Sequence, residues 1–154
     1  ASADVVQALL SVTADKDALL QIQNDEGDNA LTVAALNGYT DTLKALLDAA
    51  DDKEALIRMR NNEGEHVLTI AALNGHTDTV KMLLNIVSDK EALIRTPNEA
   101  GYSALTCAAT YGHTETVTAL LSVVRDKEAL IGMENDAGET ALICAALRGH
   151  TETL

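Results

Sequence analysis

The sequence predicts an all-α repeat solenoid, in which short helix-turn-helix units stack one upon another. The first observation is a period of 37 residues that runs through the 154-residue chain without a shift in register. The second is that apolar residues within each period recur at helical spacing. The third is composition, because 47% of the residues are hydrophobic and only 2% aromatic, which predicts an aliphatic, alanine-rich core. A fixed period of this length is typical of units that bury their apolar faces only by stacking. The period is visible in the turns at Asn24, Asn61, Asn98 and Asn135 and in the alanine pairs at Ala34, Ala71, Ala108 and Ala145.

A turn and a short first helix begin each unit. The turn has the form Asn-x-x-Gly, and its glycine can adopt a left-handed backbone that other residues resist. The residue two positions after this glycine should cap the helix, and Asn29, Ser103 and Thr140 are typical N-caps, whereas His66 at the same position is not. A glycine just past the apolar run predicts the end of the helix. These glycines are Gly38, Gly75, Gly112 and Gly149.

A second helix follows at once and carries the clearest core stripe. Val80, Leu83, Leu84 and Val87 have the i, i+3, i+4, i+7 spacing of one buried helix face. A threonine before each stripe is the expected N-cap, and the acid that follows it complements the positive start of the helix. The expected caps are Thr40, Thr77, Thr114 and Thr151.

A third segment closes the unit and predicts one or two extra helical turns. In one unit Ser88 and Glu91 have the spacing of a capping box. Pro97 follows this segment, where the chain should be extended. The equivalent segments lie at Asp15–Leu20, Asp52–Ile57 and Asp126–Ile131.

The repeats predict a single array rather than separate domains. The first and last units are partial, and three complete units lie between them. Their expected bounds are 1–23 (partial), 24–60, 61–97, 98–134 and 135–154 (partial).

The net charge of the chain limits the kinds of partner that are expected. Asp and Glu number 24 against 11 Lys and Arg, which gives a formal charge of -13. Nucleic acids and anionic membranes require a basic footprint, so neither is expected as a partner. An acidic surface keeps the array soluble and favours a basic protein partner.

The cysteines and histidines predict no chemistry. Cys107 and Cys144 are one period apart, and packed helices lie about 8–10 Å apart, beyond the ~7 Å that a disulfide tolerates. Free buried thiols predict a reducing, intracellular compartment. His76, His113 and His150 are also spaced by one period, too far apart to share a zinc ion. With no nucleophile motif or phosphate-binding loop either, we expect no enzyme activity, no cofactor and no metal.

The repeating unit resembles the ankyrin repeat. The resemblance is carried by the turn glycine Gly27, by Leu31, by the alanine pair, by Gly38 and by the Leu46-Leu47 pair, and it covers the whole chain. Two features depart from the family pattern. Its Thr-Pro-Leu-His stretch appears here as Asn29-Ala30-Leu31-Thr32 and its equivalents, and the period is about four residues longer than the usual 33. The added residues fall in the third segment.

The resemblance implies an L-shaped stack whose concave side, formed by turn tips and first helices, binds a protein partner. Tyrosine is frequent at binding hot spots, which draws attention to Tyr102 and Tyr111. The resemblance therefore implies a non-catalytic interaction scaffold. The candidate partner-binding residues are Asp28, Leu36, Asn37, Glu65, Leu73, Asn74, Tyr102, Thr110, Tyr111, Glu139, Leu147 and Arg148.

Two other functions stay open at this point. One is a structural or self-stacking array, which could be designed, because the units are nearly identical and Val5, Val6, Leu9 and Leu10 continue the interior apolar pattern to one end. Head-to-tail association of copies would then be open-ended. The other is the targeting module of a larger enzyme or of a bacterial effector that acts in host cytoplasm.

Overall fold

The computed structural model describes residues 2–149, and within that range it contains twelve α-helices and no strand. Each of the three complete units contributes a first, a second and a short third helix in that order, so the predicted all-α repeat solenoid is confirmed. The helices are α1 Ser2–Ser11, α2 Lys16–Leu20, α3 Ala30–Asn37, α4 Thr40–Ala49, α5 Lys53–Arg58, α6 Val67–Leu73, α7 Thr77–Ile86, α8 Lys90–Arg95, α9 Ala104–Thr110, α10 Thr114–Ser122, α11 Lys127–Ile131 and α12 Ala141–Leu147.

The helices form two layers, with the short third helices at the junctions between units. The first helices α3, α6, α9 and α12 pack side by side in sequence order, as do the second helices α1, α4, α7 and α10. Each complete unit is closed by contacts between its own first and second helices. One continuous aliphatic core therefore runs along the stack, as stacking units require.

The predicted core stripe of the second helices is buried. Val80, Leu83, Leu84 and Val87 lie in the core cluster, and Leu120 occupies the position of Leu83 in the next unit. Most alanines of the first helices belong to the same buried core. Small side chains let the helices approach closely, so the alanine pairs and the leucine pairs are parts of one packing arrangement.

The first helices begin at the expected residues, and His66 caps its helix as well. The side chains of Asn29, Ser103 and Thr140 each accept a hydrogen bond from the backbone N–H three residues later. The expectation that His66 is a poor cap was wrong. Its Nδ1 accepts from the N–H groups of Leu68 at 3.2 Å and Thr69 at 3.3 Å.

The threonines at the second helices are not N-caps, so that prediction was wrong. The cap positions are Tyr39, His76 and His113, without a side-chain cap bond, and each threonine is the first helical residue. The reason is the tight turn before the helix, where Gly38 has φ 69° and the N–H of Tyr39 donates back to the carbonyl of Ala34 at 3.0 Å. Thr151 lies outside the described residues.

The threonine hydroxyls instead join neighbouring units. Thr40 Oγ1 lies 2.7 Å from Thr79 Oγ1, and Thr77 Oγ1 lies 2.8 Å from Thr116 Oγ1. Each bond connects the first turn of one second helix to the first turn of the next. The hydroxyls therefore hold the second-helix layer in register.

The third helices are as short as predicted, but they are capped by aspartate. Asp89 accepts from Ala92 N at 3.0 Å, and the N–H of Ser88 donates to Glu54 of the preceding unit, so the capping box between Ser88 and Glu91 was wrong. Glu91 is used elsewhere, because its carboxylate accepts from the N–H of Arg125 in the next unit.

Candidate protein-binding surface

A hydrogen-bonded turn, here called the finger, precedes each first helix. The fingers comprise residues 24–28, 61–65, 98–102 and 135–139. In the first, Asn24 Oδ1 accepts from the N–H groups of Glu26 at 2.9 Å and Asp28 at 3.0 Å, and Gly27 adopts φ 81°. The side-chain oxygen of the asparagine thus accepts hydrogen bonds from backbone N–H groups within the turn. The last residue of every finger lies directly before the cap of a first helix.

Neighbouring fingers are joined by backbone hydrogen bonds. The N–H of Asn62 donates to the carbonyl of Glu26 at 3.0 Å, and the N–H of Asp136 donates to the carbonyl of Ala100 at the same distance. The finger glycine is needed for space as well as for its positive φ, because a Cβ at Gly101 would lie 2.7 Å from Asp136 N. The fingers therefore form one continuous row along the stack.

The last residue of each finger occupies one equivalent position, which is held by Asp28, Glu65, Tyr102 and Glu139. The side-chain amide of Asn61 donates to Asp28 Oδ1 at 3.2 Å and to Glu65 Oε1 at 3.1 Å, so two carboxylates converge on one donor. Burial raises the pKa of Glu65, the bond from Asn61 lowers it, and the nearby charges of Glu63 and Asp28 raise it further. An added positive charge would relieve this repulsion.

A small groove of about 60 Å³ lies between the first two complete first helices. Its walls include Leu36, Ile70 and Leu73, while Asp28 and Glu65 contribute carboxylates. Leu36 is 48% exposed. The groove thus combines aliphatic surface with negative charge, which suits the aliphatic stem and charged head of a basic side chain.

Further along the same surface, unit 98–134 presents an exposed aromatic side chain, Tyr111. The guanidinium carbon of Arg148 lies 5.3 Å from the centre of the Tyr111 ring, a cation–π geometry. Leu147 beside it is exposed, and Glu139 is held by the amide of Asn135 at 2.9 Å. Tyr111 is exposed, so its ring is available for contact.

The twelve predicted residues differ in accessibility. Asn37 and Asn74 are exposed, but their amides also donate to backbone carbonyls in their own helices. Thr110 is buried and its hydroxyl donates to the carbonyl of Thr106 at 2.7 Å, so it offers no contact surface. Asp28, Leu73, Tyr102 and Glu139 are half-buried, Glu65 is buried, and Leu36, Tyr111, Leu147 and Arg148 are exposed.

The histidines after the first-helix glycines connect adjacent units. His76 Nε2 lies 3.0 Å from the carbonyl of Leu36, and His113 Nε2 lies 2.9 Å from the carbonyl of Leu73. A Cβ at Gly38 would lie 2.6 Å from His76 Nδ1, so the glycine makes room for the ring. His150 lies outside the described residues.

Sequence reasoning missed a set of carboxylates that connect units. Asp17 accepts from the N–H groups of Asp51 at 2.8 Å and Asp52 at 3.1 Å, and Glu54 and Glu91 make the equivalent connections. The backbone bond from Ser88 holds the pKa of Glu54 below its usual value. The signal was present in the sequence, because the three acids are spaced by one period.

Metal-binding clusters and membrane-spanning helices are both absent from the described part of the chain. Residues 2–149 contain no group of three or more His, Cys, Asp or Glu side chains that could hold a metal ion. Cys107 and Cys144 are free and buried, and burial raises the pKa of Cys107 to about 12. Within the same range, no helix has both the length and the apolar character needed to cross a membrane.

Comparison with known families agrees with the geometry. A family model for ankyrin repeats matches the chain three times, over residues 1–92, 53–131 and 88–154. A search of curated proteins gave no match. The three family matches overlap and together span the whole chain. The stacked helices and the row of fingers agree with a repeat architecture. The chain therefore belongs to the ankyrin-repeat family.

Proposed function

We propose that this chain is a non-catalytic scaffold that binds a protein partner on its first-helix surface. Ankyrin repeats generally mediate protein–protein interactions. The fingers and first helices give a contact surface that extends along the array, as expected of a repeat protein that holds a macromolecule. We define the first-helix surface as Asp28, Leu36, Asn37, Glu65, Leu73, Asn74, Tyr102, Tyr111, Glu139, Leu147 and Arg148.

The observation that carries this proposal is a set of exposed apolar side chains at the ends of three of the four first helices, while Leu73 at the end of the fourth is half-buried. Leu36 and Tyr111 are each 48% exposed and Leu147 is 66% exposed. Leu36 and Leu147 hold the same position in their units, and Tyr111 follows it by one residue. Exposed apolar side chains that are aligned and bordered by polar groups are typical of interaction sites, whereas scattered ones are not.

The charge of this surface favours a basic partner. Asp28, Glu65 and Glu139 lie along the finger row, and the whole chain has a formal charge of -13. Complementary charge speeds encounter and excludes acidic competitors more than it adds affinity. Association should therefore weaken as salt is added, because screening shortens the range of the attraction.

A selection experiment tests the proposal without a known partner. Binders from a displayed library of randomised peptides would be selected on the wild-type protein, and their Kd measured on a variant with Leu36→Ser, Tyr111→Ser and Leu147→Ser. We expect affinity to fall by about tenfold or more, as for the loss of hot-spot contacts. The control variant carries Lys44→Ser and Lys81→Ser on the exposed side of the second helices. Binders that lose affinity on the control, and not on the first-helix variant, would contradict the proposal.

A second candidate function, head-to-tail stacking of copies, is favoured by one specific observation. Leu9 is 60% exposed, whereas Leu46 at the same position of the next unit is 4% exposed. Leu142 is likewise exposed although its equivalent Leu105 is buried. These two faces repeat the surfaces that adjacent units bury against each other, so copies could stack without closing.

Light scattering over a concentration series tests the stacking proposal. Stacking predicts a molar mass that rises with concentration, and Leu9→Glu should restore a monomer because it places a charge in the contact. A constant monomer mass at high concentration would contradict stacking, and it would leave the partner-binding proposal unaffected.

The proposed compartment is reducing and intracellular. Both cysteines are buried free thiols, which supports a setting where disulfides are not maintained.

A further inference from the structure

His66 occupies a position where the other units have no titratable group. The cap at the start of each first helix is Asn29, His66, Ser103 or Thr140. Amide and hydroxyl caps gain no proton in the range of ordinary acidic solutions, whereas an imidazole does. His66 is also 1% exposed, so any charge on it would be buried.

The hydrogen bonds of His66 require one neutral tautomer. Nδ1 accepts from the N–H groups of Leu68 and Thr69, so it can carry no proton. The cap is reciprocal, because Thr69 Oγ1 accepts from the N–H of His66 at 3.0 Å. A proton on Nδ1 would replace two attractive contacts with two repulsive ones at the positive end of a helix.

The other ring nitrogen compensates only in part for protonation of the ring. Nε2 is buried and has no hydrogen-bond partner within normal limits, although it faces the carbonyls of Leu93 and Thr96 at the end of α8. Solvent does not reach it, so a charged ring could not be hydrated without opening of the structure around it.

The charged groups around His66 also oppose protonation. Arg58 at the end of α5 and Arg60 after it are positive and lower the proton affinity of the ring. The titratable side chains of α8 are Lys90, Glu91 and Arg95. Glu65 precedes His66, but its carboxylate accepts a hydrogen bond from Asn61. Helix α9 packs against α6, and its only titratable side chain is Cys107.

We propose that His66 is an acid-sensitive cap, whose protonation releases the first turn of α6 and the finger that carries Glu65. Because Glu65 belongs to the first-helix surface, acid would also weaken partner binding there, and this last consequence rests on the proposed function. The device acts on one central unit, since no other cap position of a first helix can take up a proton in this range.

The direction of the pH effect follows from the two states of the ring. Burial lowers the pKa of His66 from 6.5 to about 4, partly offset by the carbonyl of Thr96. The stabilising contribution is complete above pH 6.5, where the ring is neutral in both folded and unfolded chains. It is lost progressively as the pH falls towards 4, and that shift corresponds to a change of up to about 300-fold in the folding equilibrium.

Urea denaturation between pH 7.5 and 4.5 tests the proposal with a matched variant. His66→Asn places in this unit the cap that Asn29 provides in another, and His76→Asn controls for loss of a histidine outside the buried cap. We expect the wild type and His76→Asn to lose stability steeply below pH 6.5, and His66→Asn to lose distinctly less. Identical pH dependence in wild type and His66→Asn would overturn the proposal.

Two measurements on the wild type decide the question even if the variant folds poorly. The ring proton resonance of His66 in an NMR titration should report a pKa below 5, and a value of 6 or above would overturn the proposal. Amide-exchange protection at Leu68 and Thr69 should fall in acid relative to Thr32, whose cap is Asn29. Neither measurement needs a partner, whereas pH-dependent affinity of the selected peptides tests the consequence for binding separately.

Discussion

The leucine in the middle of each second helix should dominate stability at the scale of single residues. Leu83 and Leu120 are fully buried at equivalent positions. We predict that Leu83→Ala or Leu120→Ala lowers the free energy of unfolding by about 2–5 kcal/mol, because the cavity cannot close completely. Tyr111→Ala is the control, and its exposed ring predicts a loss within about 0.5 kcal/mol. Urea denaturation measures both, and a large loss at Tyr111 would remove it from the first-helix surface.

The two cysteines should be unreactive until the chain unfolds. Both thiols are buried away from reagents, and burial raises the pKa of Cys107 to about 12, so little Cys107 thiolate forms near neutral pH. We predict slow labelling by a thiol reagent in the native state and two equivalents of free thiol in urea without reductant. A count below two would mean that the cysteines are oxidised.

Some residue roles could be predicted from the sequence and others could not, depending on whether nearby positions or distant contacts determine them. The core leucines and the caps Asn29, Ser103 and Thr140 could be predicted, because spacing along the chain determines them. The cap role of His66 could not, since it depends on which ring nitrogen is free and on burial by α8. Thr110 was placed on the binding surface by analogy with its repeat position, yet the structure buries it.

At the scale of elements, the finger glycines should differ in importance although they share one conformation. Gly101 and Gly138 have φ values of 84° and 76°, so alanine at either site is strained by about 1–2 kcal/mol. Of these two glycines, Gly101 faces a following finger, where a Cβ would lie 2.6 Å from Asp136 Oδ1 and 2.7 Å from Asp136 N, whereas no atom of the described residues lies within 4 Å of a Cβ at Gly138.

We therefore predict that Gly101→Ala destabilises by at least about 1 kcal/mol more than Gly138→Ala, since it also separates two fingers. Urea denaturation of the two variants gives the difference. Equal losses would show that the backbone conformation alone requires the glycine, and that the bond between Asp136 and Ala100 contributes little.

Element types were predictable here, but the bonds between elements were not. The three helices of each unit follow from apolar spacing and glycine positions. The starts of the second helices were displaced by one residue because a bond from Tyr39 to Ala34 tightens the preceding turn. The role of Glu54 as an acceptor for the next unit depends on stacking distance, which the sequence of a single unit does not contain.

At the scale of the whole molecule, the two helix layers have different roles. The second-helix layer contains the leucine stripe and the threonine bonds between units, and the first-helix layer presents fingers and exposed side chains. The periodic sequence predicted this stack, since the repeat is visible along the whole chain. It could not predict the groove beside Leu36, because that space arises only when adjacent units pack.

Chemical-shift mapping tests the central claim of a protein-binding first-helix surface most directly. Amide spectra of the isotopically labelled protein would be recorded with and without a peptide selected on the wild type. We predict that the largest changes fall in the fingers and at Leu36, Leu73 and Tyr111, and that amides near Lys44 and Lys81 change little. Changes concentrated around Lys44 and Lys81 would contradict the claim, because the peptide would then occupy the second-helix layer.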